Sequence, residues 1–182
     1  MKSSKNPLKE IAILILVMCA IQMVNVAMRM HLTRFGIIPR SIIGLRGILF
    51  GPLLHGSWGH LFANVGPLTV MLALLSFNKK RSLWSTTWAI WMTTGLAIWM
   101  VGRPGSIQIG ASGLIYGLAT FLITAALRGR DFFSAFIAFL VIVLYGGMVW
   151  GLLPVHPGVS WEGHLCGAIA GIVVASYSGK HR

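Results

Sequence analysis

Four polar residues stand in otherwise apolar stretches of this chain and could do chemistry together: His60, Asn64, Ser112 and His164. A serine hydroxyl becomes a nucleophile when a neighbouring base takes its proton, and an imidazole is the usual base. An imidazole beside a carboxamide can in turn donate hydrogen bonds to a developing oxyanion. His60 and Asn64 are four residues apart and so share one face of a helix. Ser112 lies in Gly110-Ala111-Ser112-Gly113, where a loop should turn into a helix. There it can offer its hydroxyl and its backbone N–H together, because the first four amides of a helix have no partner within it. Tyr116, one turn beyond Ser112, could pack on the imidazole of His164 and fix its rotamer.

Each residue also has a structural reading. A serine at a helix start caps or bonds back to its own backbone. His60 and Asn64 could be interhelical glue. His164 could bond a backbone carbonyl or line a wet cavity, and Tyr116 could be plain core. The acids narrow the chemistry by their scarcity. Only Glu10, Asp131 and Glu162 are present. Glu10 and Asp131 fall toward the opposite ends of their helices from Ser112. Glu162 precedes His164 by two residues, roughly 200° around a helix, so it should point elsewhere. No carboxylate is placed to orient the histidine as in a Ser-His-Asp triad, and a Ser112–His164 dyad remains. An H-E-x-x-H zinc motif is missing from the sequence, and one aspartate cannot make a two-aspartate site.

The elements that must position these residues are membrane helices. Only 10% of the chain is charged and 56% is hydrophobic, whereas a soluble domain carries about 25% charged residues. Such a chain cannot clothe a globule in polar side chains, so lipid is its solvent. Six apolar runs follow, at 11–28, 60–77, 83–101, 111–127, 132–152 and 161–178. They predict an all-α polytopic bundle of six transmembrane helices, one domain over residues 1–182, with a long first loop on the outside. The first run follows Lys2, Lys5 and Lys9 and could be taken for a signal peptide. Five further spans make it a retained anchor.

The net charge of +12 is not a nucleic-acid signature, because the basic residues sit in short clusters between apolar runs. Lys2, Lys5, Lys9, Lys79, Lys80, Arg81, Arg128, Arg130, Lys180 and Arg182 share one side if the N-terminus is cytoplasmic, as the positive-inside rule expects. Both termini are then inside. Arg29, Arg34, Arg40 and Arg46 in the first loop, with Arg103, are a counter-signal on the outer side. That loop is expected to lie on or partly in the outer leaflet, its arginines reaching headgroups. Trp58, Trp99, Trp150 and Trp161 fall at the outer ends of spans, as an interfacial belt should. In this topology the four polar residues share one depth, in the outer half of the membrane. Gly113 and Gly117 on the fourth span and Gly167 and Gly171 on the sixth form small-xxx-small faces. If these faces meet, Ser112 and His164 come within reach. Cys19 and Cys166 lie inside apolar runs and imply no disulfide framework.

Together these motifs resemble the rhomboid family of intramembrane serine proteases. The matching elements are His55-Gly56-Ser57-Trp58-Gly59-His60 with Asn64, then Gly110-Ala111-Ser112-Gly113 with Tyr116, then His164 with Gly167 and Gly171. The resemblance covers the six-helix core from about Ile11 to Ser178. It implies a Ser112–His164 dyad that cleaves a peptide bond in or beside a substrate's transmembrane helix. It implies an oxyanion site of His60, Asn64 and the Ser112 amide, without metal or cofactor, and a structural role for His55. It also implies a minimal bacterial form in the inner (plasma) membrane, with the active site toward the outer face. Its expected partners are transmembrane protein substrates and the bilayer. One departure is in the first loop, where the family often carries a Trp-Arg pair and this chain reads Gly44-Leu45-Arg46-Gly47. Two other readings compete. One is a catalytically inactive relative that binds other membrane proteins. The other is a small transporter, which lacks the pair of broken helices it would need.

Overall fold

The computed structural model describes residues 6–78, 82–129, 131–154 and 160–178. Seven α-helices are found among them: α1 (Pro7–Ala27), α2 (Arg46–Phe50), α3 (Trp58–Phe77), α4 (Leu83–Val101), α5 (Ser112–Gly129), α6 (Phe132–Tyr145) and α7 (Trp161–Tyr177). Six of these are long, and the fold is an all-α membrane bundle. α1, α3, α5 and the stretch Phe132–Leu152 are long and apolar enough to cross a bilayer. α4 is rich in threonine and tryptophan, and α7 has 17 residues with many glycines and alanines.

Side-chain caps set where the helices begin. The Asn6 side chain accepts from the Lys9 N–H at 3.2 Å, and Pro7 occupies the first turn of α1, where its missing N–H costs nothing. Ser57 accepts from the His60 N–H at 3.0 Å, and Ser160 accepts from the Gly163 N–H at 3.2 Å. These two caps start α3 and α7 so that His60 and His164 each sit about one turn in. Asp131 caps α6 through the Ser134 N–H.

α5 is the central helix, packed on α7 and bordered by α3, α4 and α6. Its contact with α7 is backbone to backbone. A Cβ on Gly167 would collide with the Gly113 carbonyl, and one on Gly171 with the Gly117 carbonyl. The core continues through Leu61, Leu68 and Leu72 of α3, Ile90 of α4, and Leu114, Leu118 and Phe121 of α5, all essentially fully buried.

The first loop is ordered as short 3-10 turns around α2, at His31–Phe35, Ile43–Leu45 and Gly51–Leu53. It is tied to α4 and to the segment that enters α5. Arg40 donates to the Met100 and Gly102 carbonyls at 2.9 and 3.0 Å, closing the end of α4. Trp91 and Trp99 donate their indole N–H groups to the Ile48 and Ser41 carbonyls. Ile37 and Gln108 exchange two backbone hydrogen bonds, and the Gly110 N–H donates to the Gly51 carbonyl at 2.9 Å.

The fifth expected run differs in one respect. Residues 132–152 are α-helical only to Tyr145 and continue as a 3-10 turn over Gly146–Leu152. Gly146 and Gly147 mark the change, which fits the low helix propensity of a glycine pair. Of the basic residues that indicate the orientation, Lys2, Lys5, Lys79, Lys80, Arg81, Arg130, Lys180 and Arg182 lie outside the described residues.

Candidate active site

Ser112, His60, Asn64, Tyr116 and His164 line one cavity of about 520 Å³, together with Met148 and Pro67. Ser112 is the first residue of α5, so its N–H has no partner within the helix. The turn before it needs glycine at position 110. Gly110 has φ +105°, which L side chains rarely adopt, and a Cβ there would stand 2.7 Å from His60 Nε2. The His60 ring therefore closes directly on the backbone that leads into Ser112.

The two histidines are held as different tautomers by their neighbours. The Gly56 N–H points at His60 Nδ1 at 3.4 Å, which makes Nδ1 the acceptor and leaves the proton on Nε2. His60 thus presents a donor toward the Gly110 side. At His164, Nδ1 lies 2.8 Å from the Gly151 carbonyl. A carbonyl can only accept, so Nδ1 carries the proton and Nε2 keeps the lone pair of a base. The position that a carboxylate takes in a triad is filled here by a backbone carbonyl.

Tyr116 stacks on the His164 ring, with centroids 4.3 Å apart and planes within 10°. Its hydroxyl donates to the Met148 carbonyl at 2.6 Å. The 3-10 turn at Gly146–Leu152 thereby orients both rings through two carbonyls. A Cβ on Gly151 would run into the Tyr116 hydroxyl, so this approach requires glycine. Sequence reasoning missed Gly151. The only trace of it was the Gly-Gly pair five residues earlier, which announces a break without saying which carbonyl it turns inward.

Asn64 donates to the His60 carbonyl at 2.7 Å, one turn back on its own helix. Its NH2 group has a second N–H for the cavity. Pro67, further along α3, has no N–H for the carbonyl four residues before it, that of Ala63, and both residues line the cavity. Ser112 and His164 share the cavity wall, but their side chains make no hydrogen bond with each other, nor does the Ser112 hydroxyl cap its own helix. Glu162 points away from His164 and pairs with Arg103 at 3.3 Å. His55 is fully buried beside the cavity, its ring edge-on to His60 at 5.1 Å, and its backbone carbonyl accepts from Asn25 of α1.

The sequence profile of the Rhomboid domain matches residues 43–181, most of the chain. The protein belongs to the rhomboid family, with its first helix and the start of the first loop preceding the matched region. An uncharacterized protein of Mycobacterium tuberculosis is 43% identical over 149 residues, covering 77% of this chain and 62% of its own length. One from Mycobacterium leprae is 42% identical over 143 residues, covering 72% of this chain and 55% of the relative. Rhomboid-like protease 5 of Toxoplasma gondii is 29% identical over 130 residues, 69% of this chain but 15% of that protein. The match thus spans about three fifths of the mycobacterial relatives' length. No solved structure matches.

Proposed function

We propose that this protein is an intramembrane serine endopeptidase that cleaves membrane proteins within or beside a transmembrane segment. Ser112 Oγ is the nucleophile and His164 Nε2 the base. Oγ attacks the scissile carbonyl carbon and its proton passes to Nε2. The oxyanion is received by the His60 Nε2–H, the free N–H of Asn64 and the Ser112 N–H. Nε2 then protonates the leaving amine, which departs and leaves an acyl-enzyme. A water entering through the cavity attacks the ester with Nε2 again as base, the acyl–Oγ bond breaks, and Nε2 returns the proton to Ser112 Oγ as the acid product leaves. Gly113, Gly117, Gly167 and Gly171 support the site by letting α5 and α7 touch.

The observation that carries this reading is made at His164, whose Nδ1 lies 2.8 Å from the Gly151 carbonyl. The His164 Nδ1–H is committed to that carbonyl, which leaves a basic nitrogen in the same cavity as a serine at a helix start. In the same reading all six long helices, α4 and α7 included, cross a bacterial plasma membrane. The termini are cytoplasmic and the cavity faces outward.

The competing reading is an inactive relative that only binds membrane proteins. What favours it is the missing Ser112–His164 hydrogen bond, although such contacts often tighten only when substrate arrives. A fluorophosphonate probe on the purified full chain decides between them. Labelling at Ser112, lost in His164→Ala, is expected, together with cleavage of a reporter membrane protein. Cleavage by Ser112→Ala at the wild-type rate would sink the protease assignment.

A further inference from the structure

The first loop holds two guanidinium groups against one ring. Arg46 Cζ lies 4.4 Å and Arg34 Cζ 5.3 Å from the Phe35 centroid. Arg46 also donates to the Arg34 carbonyl at 3.1 Å, which holds its guanidinium beside the Arg34 backbone. Both residues are exposed. Each stacking contact is favourable by itself, but two like charges on one ring repel each other unless an anion lies between or over them.

None of the acidic side chains supplies that anion. The chain has three acidic residues, and all are engaged elsewhere. Glu162 pairs with Arg103, Asp131 caps α6, and Glu10 accepts from the Trp84 indole. The neighbouring surface is apolar. Ile42, Ile43, Leu45, Leu49 and Phe50 are all exposed, Ile42 at 85%. Leu49 and Phe50 belong to α2, the same short helix that carries Arg46. Paired guanidinium forks match phosphate oxygens, and an apolar surface beside them matches hydrocarbon.

We propose that Arg34 and Arg46 form a binding site for the phosphate of an anionic phospholipid, whose acyl chains lie along Ile42, Ile43, Leu45, Leu49 and Phe50. The site is separate from the cavity at Ser112. It depends on the chain being in a membrane and not on its being a protease.

The test uses the full chain reconstituted in phosphatidylcholine vesicles, with spin-labelled phosphatidylglycerol and spin-labelled phosphatidylcholine compared for motional restriction by the protein. Wild type should prefer phosphatidylglycerol. Arg34→Gln should weaken the preference by roughly fivefold, the worth of one basic side chain at a charged membrane surface. That variant keeps the Arg46–Phe35 stack and the hydrogen bond to the residue 34 carbonyl, so the loop should fold. R34Q/R46Q should lose the preference, while Arg128→Gln, at the other end of α5, should keep it. Equal preference in wild type and R34Q/R46Q would overturn the proposal. So would displacement of the labelled lipid by excess inorganic phosphate but not by chloride at matched ionic strength, since the ligand would then be free phosphate.

Discussion

At the scale of single residues, the candidate site depends on a carbonyl where a Ser-His-Asp triad would have a carboxylate. The Gly151 oxygen orients His164 without adding a charge, and it can do so only because residue 151 has no Cβ. Gly151→Ala would push on the Tyr116 hydroxyl and, through it, on the stacked imidazole. Turnover is expected to fall by at least about tenfold, since small misplacements of a catalytic group are costly. Tyr116→Phe removes only the hydrogen bond to Met148 and should cost about 0.5–1.5 kcal/mol of stability, with a smaller loss of turnover. Measured kcat for the two variants orders them. If Tyr116→Phe proves the worse, the hydroxyl has a role beyond positioning.

His55 gives a pH signature of its own. Burial, and secondarily the neighbouring His60, hold its imidazole down to about 4 from the ordinary 6.5, against a weaker upward pull from the Leu53 backbone. The unfolded chain therefore takes up this proton near 6.5, while the folded chain takes it up only near 4. Between those values the unfolded state binds more protons, so stability rises with pH across the window. The contribution is complete above the upper value and is lost as pH falls toward the lower one. Thermal unfolding in detergent should show this slope, and His55→Leu should flatten it. A slope unchanged in the variant would assign it to another group.

At the scale of elements, the contact between α5 and α7 decides whether a site exists at all. Gly167 and Gly171 pack against the carbonyls of Gly113 and Gly117, so any side chain there must separate the helices that carry Ser112 and His164. Gly167→Val is expected to cost about 1–3 kcal/mol or more, as overpacking does. It should remove fluorophosphonate labelling even where the protein remains folded. Full labelling in that variant would mean that the dyad does not depend on this packing.

The glycine faces were readable in the sequence because small residues at a four-residue spacing have few other uses in an apolar helix. Five of the six runs also came within a few residues of the long helices, since hydrocarbon thickness sets the length of an apolar membrane helix. What could not be read was shape. The break of the last part of Phe132–Leu152 into a 3-10 turn, the inward Gly151 carbonyl and the turns of the first loop all depend on backbone directions that apolar content does not encode. His60, Asn64, Ser112, Tyr116 and His164, which line one cavity, were picked out in the sequence by type and spacing. The roles of His60 as donor and His164 as base were expectations from the sequence; the backbone contacts that bear on their tautomers, from Gly56 and Gly151, were not legible, the latter lying far from either motif.

At the scale of the whole molecule, the first loop is part of the frame around the cavity. It is bonded to the end of α4 through Arg40 and to the approach of α5 through Ile37 and Gly51. Arg40→Ala would leave the Met100 and Gly102 carbonyls without their donor and is expected to lower thermal stability in detergent by about 1–3 kcal/mol. The proposed orientation has a test at the same scale. A cysteine at Ser106, in the exposed turn after α4, should react in intact cells with a membrane-impermeant maleimide. The natural Cys19 and Cys166 lie within α1 and α7 and should give little background. Labelling of Ser106→Cys only after cell lysis would reverse the topology.

The neutral carbonyl behind His164 also matters for how such a protein is made. An aspartate placed midway along a helix raises the cost of its entry into the bilayer by about 2.5–3.5 kcal/mol. Orienting the base with Gly151, on another element, leaves the interior of α7 free of formal charge, with its one acid at the second residue of the helix. In the proposed membrane setting α7 can then enter lipid without a carboxylate in its interior. The polar constellation belongs to no single helix and exists only where α5, α7 and the Gly146–Leu152 turn meet.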